Sequence, residues 1–490
     1  MPHDVVLAEE NAVLKQRIKH LEEYIQSLRH AQFGSSSEQY NPDQQELFNE
    51  AEDELDKTID EPEQTIAAHT RNKKKRVSIP DEIPREEVIH DLADDDKFCP
   101  KDGTALKRIG EETSEQLDVI PAKIKALRHI RIKYACPCCE QYLVTAPKPK
   151  QPIEKSIASP GLLAHIVASK YIDGLPLYRQ CAIFTRMGIE IDRSSMANWT
   201  IKCGALVQPL INLLQERMLE QAVLHMDETP VQVLDEPGKT AQSKSYMWVT
   251  VSQSSPAVLF NYSASRGQET PKALLENYEG ALMVDGYEGY SPVCVENQLT
   301  RLGCWAHARR KFMSAKQQQA KGKIGKADVA LSHIQTLYRI EREIKDKNMD
   351  ERRAIRQSQA KPEIDKLKKW LDKTLLNTPP KSTLGKALVY LSNQWSRVIP
   401  YLDHGAYPID NNPAENAIRP FVIGRKNWLF SQSQAGVRAS ANLYSLVETA
   451  KVNGLEPYAY LRQIFTLLPQ AETVEDVEKL LPWNVKSVVG

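Results

Sequence analysis

Three acidic residues, Asp227, Asp285 and Glu415, occupy positions in which they could bind metal ions. Asp227 follows "AVLHM" and Asp285 follows "GALMV", so each predicted strand delivers a carboxylate at or near its end. A carboxylate in such an apolar neighbourhood needs a cation or hydrogen-bond donors. In metal-dependent phosphoryl transfer, two Mg²⁺ ions about 3.5 to 4 Å apart activate the attacking oxygen and stabilise the leaving one. Because Mg²⁺ prefers oxygen ligands and keeps several waters, two aspartates and one further carboxylate, such as Glu415, are sufficient protein ligands.

Each of these acids also has a purely structural explanation. Asp227 could begin a turn at "DETP", and Asp285 could begin one at "DGY", a common strand-to-turn signal. Glu415 falls at the third position of a helix that Asn412 would cap, which is where a capping box places a glutamate. Asp410 is the nearest alternative to Glu415 as a third ligand. The residues alone leave both explanations open.

Basic and aromatic residues flank the acids. "HARRKF" follows a predicted strand directly, and "GRKNW" lies beyond Glu415. Trp428 could stack on an unpaired base or belong to the core, because Leu429 and Phe430 follow it. His225 and His307 could each assist at a metal site or serve as hydrogen-bonded structural residues. The predicted DNA contacts are Arg309, Arg310, Lys311, Arg419, Arg425, Lys426 and Trp428.

The chain that positions these residues is long enough for several units. At 490 residues it exceeds the size of a single core, so three or more units are expected. We find no apolar run that could span a bilayer, and "MPHDVVLAEE" lacks a signal-peptide pattern, which predicts a cytoplasmic protein with no membrane partner. Eight cysteines without a signal peptide argue against a disulfide framework.

Residues 1–32 are predicted to form a coiled coil. Leucine recurs every seven residues from Leu7 to Leu28, and Asn11, Ile18 and Ile25 occupy the complementary positions. This pattern favours a parallel two-stranded coiled coil and hence a homodimer. The alternative is an amphipathic helix packed on its own chain. Residues 33–90, acidic and then basic with scattered prolines, read as a charged linker.

Residues 91–150 suggest a small zinc-ribbon-like unit. "KFCPKDG" and "YACPCCE" bracket "KIKALRHIRIKYA", whose alternation predicts a strand. A four-cysteine zinc site needs two CxxC pairs, and the first pair has an aspartate where its second cysteine should be. The unit either binds Zn²⁺ or packs without metal. The possible Zn²⁺ ligands are Cys99, Asp102, Cys136 and Cys139.

The remaining chain predicts helices on both sides of a β-rich segment. Residues 151–220 contain two short helices joined through "GIEID", with Asp192 or Ser194 capping the second, which fits a DNA-binding helix-turn-helix or plain helix packing. Residues 221–430 carry β-rich runs, including "RLGCWAHARRKF", and a helical insertion at about 313–401 with a break at "NTPPKS". Arg301 to Lys373 holds 20 basic residues against 9 acids, so a polyanionic partner is plausible. Residues 431–490 read as a C-terminal helical region.

Taken in order, these motifs resemble those of the transposases of the insertion sequence 66 family, in their large catalytic subunit. The resemblance rests on "HMDET", "VDGYEGY", "CWAHARRKF", "DNNPAENAIRP", "GRKNWLF" and "YSLVETAKVNGLEPYAYL". It extends upstream through "FGSSSEQ", "CPKDG", "GEETSEQLDVIPAK" and "KYACPCCE", and so covers nearly the whole chain.

The resemblance implies a multidomain α+β protein with an RNase H-like α/β core and a helical insertion. It implies an Asp-Asp-Glu triad, here Asp227, Asp285 and Glu415, holding two Mg²⁺ or Mn²⁺ ions. The implied reaction cuts double-stranded DNA at element ends and joins it to target DNA, with water and then a freed 3′-hydroxyl as nucleophiles and no covalent enzyme intermediate. Accessory proteins of the same element are implied partners, and the bacterial cytoplasm, at the nucleoid, is the implied location.

One departure from the family concerns the residue after the glutamate. Many members have an arginine there, whereas this chain has Asn416, so a phosphate contact at that position is not expected. Two other functions fit the same residues. One is a non-catalytic dimeric DNA-binding protein whose carboxylates serve structure, and the other is a metal-dependent nuclease without strand transfer.

Overall fold

The computed structural model describes residues 123–135, 143–318 and 325–485, together with residues 85–87, 89, 97, 101, 104–105, 113–114 and 116. The predicted coiled coil of residues 1–32, most of the linker and the possible Zn²⁺ ligands Cys99, Asp102, Cys136 and Cys139 lie outside the described residues. Residues 60–130 form one compact unit, and residues 131–490 belong to another. The elements that follow belong to the second unit.

A short antiparallel hairpin opens this unit. Strand β1 (Lys133–Ala135) pairs with β2 (Leu143–Thr145), and Lys133 lies opposite Thr145. Within the predicted strand "KIKALRHIRIKYA", residues 123–132 are irregular and the last three residues form β1. The predicted strand therefore forms only at the three residues that pair with β2.

Four helices precede the main sheet: α1 (Pro160–Tyr171), α2 (Leu177–Arg186), α3 (Arg193–Leu206) and α4 (Gln208–Leu219). Ser159 caps α1 by accepting the N–H of Leu162 at 3.2 Å. Asp192 occupies the N-cap position of α3, as predicted, although its side chain makes no capping bond. The turn between α2 and α3 passes through Gly188, whose φ of 87° lies in the left-handed region that favours glycine.

The main sheet has a central strand that carries Asp227. Its strands are β3 (Val223–Asp235), β4 (Lys244–Ser252), β5 (Ala257–Ser263), β6 (Ala281–Val284) and β7 (Thr300–Gly303), in the order β5-β4-β3-β6-β7. Strands β3, β4 and β5 are antiparallel, whereas β6 and β7 run parallel to β3. The architecture is thus a mixed sheet combined with many helices.

Asp227 lies inside β3 and does not begin a turn, so the alternative of a turn at "DETP" is wrong. It pairs with Val249 of β4, and the ladder continues to Gln232 opposite Lys244. Pro230, which has no N–H to donate, is tolerated because the other edge of β3 pairs with β6 only as far as His225. Asp285, in contrast, directly follows the end of β6 as predicted.

The connections around β6 contain helices α5 (Glu269–Leu274) and α6 (Ser291–Glu296), with a 3₁₀ turn at Glu288–Tyr290. The insertion consists of α7 (Trp305–Gln317), α8 (Lys326–Glu343), α9 (Met349–Ile355), α10 (Lys361–Leu376) and α11 (Thr383–Val398). A π turn at Arg356–Ala360 links α9 to α10, and a 3₁₀ turn at Pro400–Leu402 follows α11. These helices share their own hydrophobic cluster.

The β-rich interpretation of "RLGCWAHARRKF" is wrong beyond its first three residues. The strand ends at Gly303 and helix α7 begins at Trp305. Trp305, Ala308 and Phe312 follow helical spacing, and all three are buried in the cluster of the insertion. Burial of these three side chains against the other helices of the insertion therefore stabilises the helical conformation.

The chain returns to the sheet through α12 (Asn412–Trp428), a short strand β8 (Ser431–Ser433) that pairs with the end of β3, and helices α13 (Gln434–Val452), α14 (Pro457–Leu467) and α15 (Val474–Glu478). Helix α13 is tied to β5, since Ser445 Oγ accepts the N–H of Phe260 at 2.7 Å. One hydrophobic cluster joins α1, α3 and α4 to the sheet and to α12–α14. Residues 151–220 and 431–485 thus share a core with the sheet. No described helix is long and apolar enough to cross a membrane.

Candidate functional site

Asp227 is a half-buried carboxylate with other acids nearby. Burial, and after it the negative charge of Glu228, raises the pKa of Asp227 to about 8, with smaller contributions from Asp285 and Glu415. Its Oδ1 accepts the backbone N–H of Glu228 at 2.9 Å. Four acids are therefore close enough to repel one another, and their joint ionisation needs positive charge nearby.

Glu228 has its own counter-charge on the other side of the strand. Arg266 donates to its carboxylate at 2.6 and 2.8 Å, and the Tyr290 hydroxyl donates to Oε2 at 2.5 Å. Arg266 also lies over the Tyr287 ring, 4.0 Å from its centroid. These contacts occupy Glu228, as expected for the residue that points away from Asp227.

Asp285 lies on a loop whose backbone and side chains are bound by two arginines, Arg301 and Arg397. Its Oδ1 accepts the N–H of Tyr287 at 2.9 Å. The guanidinium of Arg301, from β7, donates to the carbonyls of Asp285 and Tyr287 at 3.2 and 2.7 Å. From α11, Arg397 binds Glu288 at 2.7 and 3.0 Å. Sequence reasoning missed Arg301 and Arg397, because isolated arginines carry no motif signal.

Glu415 is buried in the first turns of α12, where the helix starts one residue earlier than predicted. Asn411, and not Asn412, occupies the N-cap position, and its carbonyl accepts the Glu415 N–H at 3.1 Å. Asp410 accepts the Asn412 N–H at 3.1 Å and the Tyr338 hydroxyl at 2.8 Å. Asp410 therefore serves the helix start, and the Glu415 carboxylate is not used for capping.

The Glu415 carboxylate instead faces α7. Arg310 Nη2 contacts both of its oxygens, at 2.5 Å for Oε2, and His307 Nδ1 lies 3.4 Å from Oε1. Although burial acts to lower it, the charge of Glu415 keeps the pKa of Arg310 above its ordinary value. Burial and the Arg310 charge lower the pKa of His307, which favours its neutral form.

The predicted triad and the tightest group of metal-ligand atoms are different sets. Among the residues that the structure describes, Cys304, His307 and Glu415 offer ligand atoms that all lie within 4.8 Å of one another. Asp285 and Glu415 both act electrostatically on Asp227, but neither aspartate belongs to that group. The carboxylates that a hard cation such as Mg²⁺ prefers are nevertheless on neighbouring elements.

The arginines of α7 point in different directions. Arg309 is only 7% exposed, so its guanidinium is not presented to a DNA phosphate, contrary to the prediction. Arg310 faces Glu415, and the exposed Lys311 lies over the Tyr390 ring with Nζ 4.6 Å from its centroid. Because successive helical residues are about 100° apart, only part of "ARRK" can face one surface.

The predicted contacts on α12 divide in the same way. Lys426 is exposed, and Arg419 donates to Asn416 Oδ1 at 2.9 Å. Arg425 is turned to β3, where it donates to Thr229 Oγ1 at 3.3 Å and to the Pro230 carbonyl. Trp428 packs against the main core and meets Tyr171 edge to face at 6.3 Å between ring centroids, under Lys170. The core explanation of Trp428 is the one that this packing favours.

The sequence is similar to known protein families. A family described as "Transposase IS66 family" matches residues 155–439. Three further matches are described as the zinc-finger binding domain of transposase IS66 at residues 96–140, the IS66 C-terminal element at 445–483, and the transposase C of IS166 homeodomain at 20–88. The possible Zn²⁺ ligands fall inside the zinc-finger match.

Three similar proteins come from Sinorhizobium fredii and are described as uncharacterized. The chain is 33% identical to protein y4jD over 84% of this chain and 82% of that protein. It is 32% identical to y4qI over 96% of this chain and 90% of the relative, and 30% identical to y4hP over 86% and 79%.

Proposed function

The chain belongs to the IS66 family of transposases, and on that premise we propose that it cuts DNA at the ends of its element and joins them to target DNA. In this proposal Asp227, Asp285 and Glu415 hold two Mg²⁺ or Mn²⁺ ions. The mixed sheet, with Asp227 on its central strand and Asp285 after the neighbouring parallel strand, would be an RNase H-like core. The insertion between Asp285 and Glu415 would be the helical insertion that the family resemblance implies.

The observation that carries the proposal is the position of the half-buried Asp227 among other acids, which raises its pKa. Arg266 compensates Glu228 and Arg310 compensates Glu415. Among the described residues, Asp227 and Asp285 have no ion-pair partner, and each accepts one backbone N–H. Ionising Asp227 without a counter-charge is costly, and a divalent cation held by Asp227 and the neighbouring Asp285 would offset that cost.

The bound metals would activate the attacking oxygen and stabilise the leaving one. The chain itself supplies the scaffold and the phosphate contacts. Arg301 holds the backbone of the Asp285 loop, and the ladder between β3 and β4 holds Asp227 opposite Val249. In this proposal the exposed Lys311, one residue after Arg310, would neutralise a DNA phosphate.

Other parts of the proposal concern residues outside the described ones. We propose a structural Zn²⁺ held by Cys99, Asp102, Cys136 and Cys139, which the zinc-finger match supports. We also propose dimerisation through residues 1–32 and assistance from accessory proteins of the same element. Within the described residues, we propose that the α2–α3 pair recognises DNA. Action on chromosomal DNA would place the protein in the bacterial cytoplasm at the nucleoid.

The test is a strand-transfer assay with a labelled element end and a target plasmid, in Mg²⁺ or in EDTA. The variants are Asp227→Asn and, as a matched control, Asp235→Asn at the exposed end of the same strand. Joined product that requires Mg²⁺ and is lost only in Asp227→Asn is the expected result. Because accessory proteins could be required, the same variants are also compared in a cell-based mobility assay that supplies the whole element.

Two other outcomes would replace this function. Metal-dependent cleavage without joined product, in both assays, would identify a nuclease. DNA binding that is equal in wild type and Asp227→Asn, with no cleavage in either assay, would identify a non-catalytic DNA-binding protein.

A further inference from the structure

Asn411 is a fully buried polar residue at the meeting point of three elements. It is 0% exposed and immediately precedes α12. Its side chain reaches β3, where Nδ2 donates to the Met226 carbonyl at 2.8 Å and Oδ1 lies 3.1 Å from His225 Nδ1. Its backbone N–H points to Cys304 Sγ at 3.2 Å. Its carbonyl accepts the N–H of Glu415.

These hydrogen-bond partners are close in sequence to residues of the candidate site. Met226 directly precedes Asp227 on β3. Cys304 directly precedes α7, which carries His307 and Arg310. Every polar group of Asn411 is therefore engaged, and the bonds connect the strand of one candidate ligand to the helix of another.

The geometry requires an amide at this position. The Met226 carbonyl can only accept a hydrogen bond, so the Asn411 group that faces it must be the NH₂. The Asn411 oxygen therefore faces His225, whose Nδ1 must carry the proton. An aspartate has the same shape but would place an oxygen against the Met226 carbonyl, and a buried pair of acceptors is unfavourable.

We propose that Asn411 is a positioning residue that fixes the strand of Asp227 relative to the helix of Glu415. The inference rests on the proposed function, in which both acids hold metal. Residues behind metal ligands commonly change metal affinity by about 10- to 100-fold when they are replaced. Asn411 acts here without contacting metal or DNA, through the distance that it imposes between two ligands.

The test variant is Asn411→Asp in the full chain, and Asn297→Asp is its matched control. Asn297 follows α6, outside the candidate site, and its Nδ2 also donates to a backbone carbonyl, that of Leu275, at 2.8 Å. The two substitutions thus remove the same type of bond. If Asn411→Asp does not fold, His225→Phe removes only the bond to Asn411 Oδ1, and the same results are expected on a smaller scale.

The first readout is amide hydrogen exchange without metal, which does not depend on catalysis. Asn411→Asp should speed exchange in residues 223–228 and 412–418 together, by about fivefold to tenfold, because one buried hydrogen-bond network is lost. Asn297→Asp should leave both segments unchanged. Faster exchange in only one segment, or equal effects of the two variants, would overturn the proposal.

The second readout is Mn²⁺ binding by calorimetry, with cleavage followed as a function of Mg²⁺. Asn411→Asp should weaken Mn²⁺ binding by about tenfold or more and raise the Mg²⁺ concentration for half-maximal cleavage. A stability loss with unchanged Mn²⁺ affinity would show a merely structural residue. If wild type itself binds no Mn²⁺, the proposed metal function fails, while the exchange result still decides whether Asn411 joins the two segments.

Discussion

Arg310 binds Glu415 across the gap between α7 and α12, with Nη2 2.5 Å from Oε2. The ion pair joins the helical insertion to the helix that follows it. Arg310 remains 39% exposed on its side chain, whereas Glu415 is buried. The pair thus joins a partly exposed cation to a mostly buried carboxylate.

Replacing Arg310 with glutamine should destabilise the metal-free protein. The buried Glu415 carboxylate would lose its counter-charge, and we expect a loss of about 1 to 2 kcal/mol, because the partial exposure of Arg310 screens the pair. Urea unfolding in EDTA measures this loss. Arg339→Gln, which removes an exposed pair with Glu343, is the control and should change stability little.

The same variant also tests whether Glu415 is a metal ligand. If it is, saturating Mg²⁺ should reduce the difference in unfolding free energy between wild type and Arg310→Gln. An identical difference in Mg²⁺ and in EDTA would argue against Glu415 as a ligand.

The raised pKa of Asp227 predicts a pH dependence of stability without metal. Since burial raises the pKa of Asp227 to about 8, the folded state holds its proton more tightly than the unfolded state does. The stabilisation from this proton is complete at low pH and is lost as pH rises towards 8. Asp227→Asn, which cannot ionise, should therefore be more stable than wild type at pH 8, by about 2 to 5 kcal/mol, and about equal at pH 4.

Unfolding in EDTA across this pH range measures the effect, with Asp235→Asn as the control on the same strand. A stability difference between wild type and Asp227→Asn that does not change with pH would contradict the prediction. Adding Mg²⁺ at pH 8 should favour wild type, because the metal replaces the proton that Asp227 has lost.

Local patterns predicted several elements well because each element carries its own signal. The apolar runs of β4, β5 and β6 are strands, and Asp285 follows its strand as expected. The break at "NTPPKS" falls between α10 and α11. Strand ends and helix breaks are determined by a few neighbouring residues, so a short stretch of sequence is enough to predict them.

The errors occurred where a distant partner decides the conformation. "DETP" looks like a turn, but β4 holds Asp227 through Gln232 in a ladder that no local pattern records. Arg309 and Arg310 are indistinguishable by type, and only the start of α7 at Trp305 determines which of them faces Glu415. Asn411 carries no signal of its own, because its role depends on β3, about 185 residues away in sequence.

Arg301 should matter more than Arg397 for the Asp285 loop. Arg301→Gln removes the bonds to the Asp285 and Tyr287 carbonyls. Arg397→Gln instead removes the pair with Glu288 and longer contacts with Gln394 and Ser291. We expect Arg301→Gln to lower metal-dependent cleavage by about 10- to 100-fold with DNA binding unchanged, and Arg397→Gln to lower it less. Cleavage rates and DNA affinity of both variants measure this order, and equal losses would show that the loop does not depend on Arg301.

The contact between α3 and α13 predicts that the helices before the sheet depend on the C-terminal helices. A Cβ added at Gly204 would lie 2.5 Å from the Cα and Cβ of Ala439. Gly204→Ala should therefore force the two helices apart and cost about 1 to 3 kcal/mol. Gly436→Ala, on α13, is the matched control, because its added Cβ would meet its nearest neighbour at an ordinary 3.5 Å. Denaturant unfolding should show one cooperative transition shifted by Gly204→Ala, since the two segments share a core; two separate transitions would show that residues 151–220 fold independently.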